Sequence, residues 1–302
     1  MFKSKNSMSR ALVRRETTAG NLFLLPSLFF FVTFVLYPMF LCIYTSFFDS
    51  NMGKNAVDVF VGLGNYKELF QDKLFLGALK NTVVIVVVAV PTVCAFSLWV
   101  ATAIYDMKPA LTSAFRCIFY LPVVTGSVAV TVVWKWMYNS RYGVFNYLFK
   151  SLGIIDQNIN WLGDARFALW CIILILFTTS VGQPIVLYVS ALGNVDHSLV
   201  EAAQVDGANR RQVFWKIKWS QIMPTTLYIL IITTINSFQC FALIQLLTSG
   251  GPTHSTDTIM YYIYYTAFKL YRYGYGNAMG VVLMIIIAVL SAVQFKLGQQ
   301  SD

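Results

Sequence analysis

Groups that could carry acid–base or metal chemistry are few in this sequence of 302 residues. It holds two histidines, His197 and His254, and we expect neither to pair with acids or cysteines at metal-ligand spacing. A phosphate-binding loop of the G-x-x-x-x-G-K-[ST] type is absent from the sequence. The five cysteines lie in or beside apolar segments, where cysteine behaves as a small hydrophobe. We therefore expect a non-catalytic protein with no metal site and no bound cofactor.

Uncharged polar side chains inside long apolar segments form the main set of candidate binding residues. Planar amides bind hydroxyl groups, and aromatic rings stack on the apolar faces of sugars. Asn236 and Gln239 are three residues apart and share a helix face. Pro184 is expected to break its helix near Gln183. Polar groups in lipid are costly and often functional, although hydrogen bonding between helices explains them equally well. The candidates are Gln183, Asn236, Phe238, Gln239, Phe241 and Gln245.

A polar segment, Ala191–Pro224, separates two of the apolar stretches. It is typical of two short helices: Ser198 is expected to cap the first, and Glu201 to complete a capping box. Gly207 is a natural end for that helix, and Pro224 precedes the next apolar stretch. The pattern alone leaves two uses open, docking to a soluble partner or lying on the lipid surface as an amphipathic helix.

The elements that must position these residues are apolar stretches long enough to cross a bilayer, which takes about 20 residues. Hydrophobic residues make up 57% of the chain and charged residues 12%, whereas soluble domains average about 45–50% and about 25%. We predict a single all-α domain over 1–302, a polytopic membrane protein with about six transmembrane helices. The expected spans are 22–48, 81–104, 115–138, 167–190, 225–247 and 277–297.

The distribution of charge predicts the orientation of the chain and its partners. Five basic residues precede the first span: Lys3, Lys5, Arg10, Arg14 and Arg15. Positive residues flanking a span favour the cytoplasmic side, so both termini and the 191–224 loop are expected there. The net charge of +9 is not gathered into one run, and we expect no nucleic-acid partner.

The 191–224 loop carries a specific pattern. Glu201-Ala202-Ala203, followed by Gly207 and Ile217, resembles the EAA loop of ABC import permeases. The fuller form of carbohydrate permeases, EAAxxDGA with a later Phe and Ile, is also present. Trp219 and Ser220 stand where that family has Leu and Pro, so we expect the second helix to bend less. The resemblance assigns docking to an ATPase to Glu201, Ala202, Ala203, Asp206, Gly207, Ala208, Phe214 and Ile217.

A second resemblance lies after the fifth expected span. The run 247–252, Leu-Thr-Ser-Gly-Gly-Pro, followed by Thr256, Tyr264 and Phe268, is similar to the outer loop of maltose F-like permease subunits. The chain lacks the large inserted outer domain and the extra N-terminal spans of the bacterial maltose protein. It therefore resembles the compact six-span members, and the resemblance implies the type I ABC importer fold.

The function implied by this resemblance is that of a transmembrane permease subunit in an ATP-driven importer of oligosaccharides or related carbohydrates. The implied partners are a second related permease, two cytoplasmic ATPase subunits that hold ATP-Mg, an extracellular or periplasmic sugar-binding protein and the bilayer of a bacterial cell. Another polar solute, such as a glycerol phosphodiester, is the alternative cargo. Two other classes of function need residues that the sequence does not offer. An ion-coupled secondary transporter would need charged residues in mid-span, and a membrane-embedded enzyme would need clustered acids or histidines.

Overall fold

The computed structural model describes residues 2–50 and 58–299, with side chains described over 17–50 and 58–298. The N-terminal basic cluster lies outside the described side chains. Helices dominate the described ranges, and their bounds are α1 Phe2–Phe31, α2 Tyr37–Thr45, α3 Gly64–Leu69, α4 Lys73–Tyr105, α5 Pro109–Val124, α6 Ser127–Met137, α7 Val144–Ser151, α8 Ala168–Ser180, α9 Gly182–Gly193, α10 His197–Val205, α11 Arg210–Val213, α12 Trp219–Phe238, α13 Ala242–Leu247, α14 Ile259–Tyr264 and α15 Tyr273–Gln299. Wider π-helical turns occupy Val32–Leu36, Phe214–Lys218 and Tyr265–Lys269.

Five helical stretches are long and apolar enough to cross a membrane, and a bent pair makes a sixth. The five are Thr17–Thr45, Lys73–Tyr105, Ala168–Gly193, Arg210–Leu247 and Tyr273–Gly298. Each covers most of a predicted span, and several run beyond it. The all-α polytopic fold class predicted from the sequence is confirmed.

The third expected span, 115–138, is not one rod, because α5 and α6 meet at 95°. Pro122 lies in the last turn of α5 and cannot donate a backbone hydrogen bond. Thr125 is extended, with ψ at 127°, and Gly126 precedes α6 with ψ at 138°. The sequence analysis missed this bend, since the apolar pattern continues through it.

The interior is organised around α4, which packs against α9 and α12. One end of this interior holds Val93, Ile104, Ile185 and Tyr188, and the other is centred on Ile85, Ile172 and Ile244. None of the side chains in the apolar window of the first span, Thr17–Thr45, is buried within the chain. That span therefore needs lipid or another chain to cover it.

A small polar layer covers the end of the spans that lies opposite the 191–224 loop. Strands β1 (Phe48–Asp49) and β2 (Val59–Phe60) pair antiparallel there. The buried amide of Asn65 donates to the backbone oxygens of Ser46 and Phe48, at 2.8 and 2.9 Å. These bonds fix the short α3 against the strands.

Asp72 joins three helices in this layer. Its carboxylate caps α4 by accepting from the N–H of Leu74 at 2.8 Å, and it accepts from Tyr262 and Tyr275 at 2.7 and 2.9 Å. Burial alone would raise the pKa of Asp72, but the tyrosine and backbone hydrogen bonds together hold it below its ordinary value.

We expect Asp72→Ala to lower the free energy of unfolding by about 1–3 kcal/mol, through the lost cap and unpaired tyrosine hydroxyls. Because the folded-state pKa is lowered, this stabilisation is present at neutral pH and is lost as the pH falls below about 4. Thermal unfolding in detergent at pH 7 measures the effect. Asp164→Ala is the control, since that half-buried carboxylate pairs, among the described residues, only with exposed Arg166 two residues away and should change stability little.

Candidate coupling loop and intramembrane cavity

Helix α10 begins at an aspartate rather than at the serine expected from the sequence. The carboxylate of Asp196 accepts from the N–H of Ser198 at 2.9 Å, so Ser198 and Glu201 lie inside the helix. The predicted Ser198–Glu201 capping box is therefore wrong. Hydrogen bonds from the Ser198 side chain and backbone hold the pKa of Asp196 below its ordinary value, so it caps as a carboxylate.

Gly207 ends α10 as predicted. Its φ is +82°, a left-handed conformation that glycine adopts without strain. Its N–H donates to the carbonyl of Gln204 at 3.0 Å, and the next N–H, from Ala208, reaches back to Ala203 at 2.9 Å. This pair of bonds is a Schellman motif, which reverses the chain within two residues.

The second half of the loop begins with a capping box of its own. The N–H of Gln212 donates to the Asn209 side chain at 2.9 Å, and the N–H of Asn209 donates to the Gln212 side chain at 2.8 Å. From Arg210 the chain is helical through Phe238, so no helix end separates the loop from the following span at Pro224. The helix continues through Trp219 and Ser220 and widens into a π-helical turn at Phe214–Lys218.

The coupling residues named from the sequence divide into exposed and half-buried groups. Glu201, Ala202, Asp206 and Gly207 are exposed, whereas Ala203, Ala208, Phe214 and Ile217 are half-buried. No hydrogen bond or ion pair reaches the Glu201 carboxylate within the described part of the chain. Glu201 therefore has no structural task in this chain alone and is free to meet a partner.

Two apolar residues of α10 were missed by the sequence analysis. Leu199 is 50% exposed and Val205 is 88% exposed. With Ala202 they recur every three residues, which places them along one side of the helix. The spacing could have indicated this exposed surface, because apolar side chains lie beside the acidic Glu201 and Asp206 on a short polar loop. Together these residues form an exposed apolar and acidic surface, which suits docking to a protein rather than to anionic lipid.

A cavity of about 850 Å3 separates the loop from the end of α4. Its walls include Tyr105, Asp106, Gln204 and Arg210. Across it, the Lys218 ammonium lies 5.2 Å from the centre of the Tyr105 ring. The start of α10 is tied to α12 where the N–H of Asp196 donates to the Gln221 side chain at 3.0 Å. The loop is therefore anchored near its ends, and Val200 of α10 also packs against the buried cluster that holds Ile104 and Ile185.

A second cavity, of about 160 Å3, lies inside the membrane-spanning region between α9 and α12. It brings together Gln183 and Asn236, which were predicted as pathway residues. A one-residue break lies at Val181, between α8 and α9 and three residues before Pro184. The cavity is lined by further hydroxyl groups that the sequence analysis did not select: Thr179, Ser180, Tyr228 and Thr233.

The remaining pathway candidates lie elsewhere. Phe238 is 1% exposed and packs in the interior with Leu69 and Phe75, and it is not among the residues that line the cavity between α9 and α12. Gln239 is exposed at the end of α12, and Gln245 is half-buried in α13. Phe241 packs against Tyr264, with ring centres 4.9 Å apart. Aromatic contact within the protein, rather than sugar stacking, explains both phenylalanines here.

The loop over 248–258 is pinned to the rest of the fold at the opposite end of the spans. Asn81 in α4 donates to the backbone oxygens of Ser255 and Asp257, at 3.1 and 3.0 Å. Thr248 and Thr256 share a hydrogen bond of 2.8 Å. Nδ1 of His254 lies 2.7 Å from Oδ2 of buried Asp257. Burial raises the pKa of Asp257, although the contact with His254 opposes that rise.

The model of one protein family matches residues 72–299, about three quarters of the chain, and that family is described as "binding-protein-dependent transport system inner membrane component". The chain belongs to this family. The permease, as we call it from here, is thus a multi-pass inner-membrane transport component rather than a secondary transporter or a membrane enzyme.

Curated relatives match nearly the whole permease. The lactose transport system permease protein LacF of Rhizobium radiobacter is 32% identical, over 94% of this chain and 95% of its own. The multiple sugar-binding transport system permease protein MsmF of Streptococcus mutans is 32% identical, over 94% and 96%. A chain of a bacterial ABC transporter involved in import of the acidic polysaccharide alginate has a TM-score of 0.79 at 23% identity, over 95% and 97% of the two chains. That likeness shows the type I importer fold.

Proposed function

We propose that the permease is one transmembrane subunit of an ATP-driven sugar importer and forms half of its translocation pathway. The observation that carries this proposal is the 191–224 loop. Its EAA surface is exposed at the end of the spans, and the left-handed turn at Gly207 separates its two helices. Sugar relatives such as LacF and MsmF support the class of cargo.

In this proposal the loop is cytoplasmic and α10 docks on an ATPase subunit that binds ATP-Mg. Closure of two such ATPases moves α10, and α12 follows because it continues directly from α11. The 248–258 loop then faces outward, towards a sugar-binding protein. A second, related permease completes the pathway and covers the first span, whose apolar window has no buried side chain within this chain.

The cavity between α9 and α12 offers only uncharged polar groups among its lining residues. Amides and hydroxyls suit the neutral hydroxyl groups of a sugar, and they give no counter-charge for a phosphate. We therefore favour a neutral carbohydrate over a glycerol phosphodiester.

Glu201→Lys tests the proposal. Glu201 is exposed, and its carboxylate has no hydrogen bond or ion pair among the described residues. Reversing its charge should therefore leave folding intact and disrupt the interface with an ATPase. We expect sugar uptake to fall more than about tenfold at normal membrane abundance, since repulsion at a docked interface costs several kcal/mol. The measurement is uptake beside co-purification of the ATPase.

Asn194→Lys is the matched control, because Asn194 is exposed just before α10. It adds one positive charge to the loop, half of the change made by Glu201→Lys, without altering the EAA surface, and should transport normally. Normal uptake by Glu201→Lys with the ATPase still bound would rule out this loop as the coupling element. If α10 instead lay on anionic lipid, added positive charge would strengthen the attachment.

A further inference from the structure

Helix α7, between the third and fourth spans, presents an apolar stripe away from the protein. The stripe consists of Val144, Tyr147, Leu148 and Leu152, at the i, i+3, i+4, i+8 spacing of one helix face. Tyr147 is 76% exposed and Leu152 is 63% exposed. An apolar face of this kind is unfavourable in water.

The opposite face of α7 is fixed firmly to the spans. Phe145 stacks on Tyr138, with ring centres 4.8 Å apart, and Phe149 lies 5.6 Å from Trp161. The buried Asn146 accepts from the Trp161 indole at 3.0 Å and from the N–H of Ile159 at 3.1 Å. The stripe is therefore a rigid surface and not a frayed end.

A cleft of about 420 Å3 adjoins the stripe and shares Val144 and Tyr147 with it. Two cations, Arg141 and Lys150, line this cleft, and no acidic residue does. Both are exposed, and neither forms an ion pair in the described part of the chain. Arginine and lysine without a carboxylate partner favour a phosphate group.

The surroundings identify the medium that covers this face. Trp136 at the end of α6 is 58% exposed, and Trp170 near the start of α8 is 56% exposed. Tryptophan and tyrosine at the ends of spanning helices mark the level of the lipid headgroups. The Trp136 ring contacts Tyr142, which lines the cleft, with ring centres 6.1 Å apart, so the cleft lies at the level of that tryptophan.

We propose that α7 holds one anionic phospholipid, with its phosphate between Arg141 and Lys150 and its acyl chains along Tyr147, Leu148 and Leu152. Placing this lipid in the outer leaflet rests on the proposed orientation of the permease, but its binding does not. The site lies at the opposite end of the spans from the 191–224 loop, so it does not depend on the coupling proposal either.

Native mass spectrometry of the full-length chain tests the site. The chain is purified in detergent with equal amounts of phosphatidylglycerol and phosphatidylcholine, and the retained lipids are counted. We expect preferential retention of phosphatidylglycerol. The double variant Arg141→Gln, Lys150→Gln should weaken that retention about thirtyfold, since each basic residue near a lipid surface contributes about fivefold. Retention of phosphatidylcholine should not change.

The control is Lys67→Gln, Lys80→Gln, which removes the same charge from exposed positions outside the cleft. It should retain phosphatidylglycerol within about twofold of the parent, given the small effect of isolated surface charges. Tyr147→Ser, Leu148→Ser should lower retention of both lipids, because it removes the apolar contact.

Three results would overturn the proposal. One is equal retention of phosphatidylglycerol by the cleft and control variants. Another is displacement of the lipid by millimolar inorganic phosphate, which would mark a site for free anions. The third is a cleft variant that retains lipid normally but loses sugar uptake when the binding protein supplies the sugar. That result would show that this face contacts the binding protein rather than lipid.

Discussion

Gly207→Pro is expected to abolish sugar uptake while the protein still inserts at normal abundance. Proline cannot reach the φ of +82° found here. It also removes the N–H that donates to Gln204 in the Schellman motif. Both losses fall on the turn that separates α10 from α11, where proline at an incompatible φ costs more than about 1 kcal/mol. We expect uptake to fall more than about a hundredfold, which the initial rate of labelled-sugar entry measures.

A graded series at the same position separates this effect from general damage. Nothing lies within 4 Å of a Cβ at Gly207, so any loss in the smaller substitutions comes from backbone conformation. Asn tolerates left-handed dihedrals and should retain most uptake, whereas Ala should be intermediate. Equal uptake by the Pro and Asn variants, at equal abundance, would show that the turn is not needed for coupling.

Gln183→Leu combined with Asn236→Leu is expected to weaken transport through the apparent affinity. Each amide lines the cavity between α9 and α12, and each lost hydrogen bond to a sugar hydroxyl is worth about 1 kcal/mol, or about fivefold. The double variant should therefore raise the KM for uptake about thirtyfold, provided that the two contributions add. Uptake rates over a range of sugar concentrations give this value.

Gln239→Leu is the matched control for the double variant. It alters the same kind of side chain on α12, at an exposed position that is not among the residues lining the cavity. Its KM should stay within about twofold of the parent. If Gln239→Leu weakened uptake as much as the cavity variant, the pathway would not follow the cavity. An unchanged KM in the double variant would assign its amides to contacts between helices.

Much of the fold follows from length and hydropathy, because lipid requires every backbone group to be satisfied within a helix. Under that constraint, the lengths of the apolar stretches predict the number of spans and the position of the 191–224 loop. The bend at Thr125–Gly126 could not be read in the same way. Pro122 and Gly126 were visible in the sequence, but the apolar pattern runs unbroken across them, and spanning helices tolerate proline.

Site residues could be predicted where only one residue type suits the backbone conformation. They were harder to predict where two neighbouring residues suit the same structural role. Gly207 was placed correctly because few residues other than glycine suit a left-handed turn. The predicted N-cap of α10 was wrong because Asp196 and Ser198 are both good N-cap residues. Only the position at which the helix begins decides between them. The burial of Phe238 could not be predicted, because an aromatic side chain beside an amide fits a sugar pathway and a packed interior equally well.

The most direct test of the account is ATP-driven uptake by the purified permease, reconstituted with its partner permease, ATPases and binding protein in sealed vesicles. The account predicts labelled-sugar accumulation only when ATP is present on the side of the 191–224 loop. It also predicts no ATP hydrolysis by the permease alone. Sugar accumulation by the permease alone, driven by an ion gradient without ATP, would contradict it.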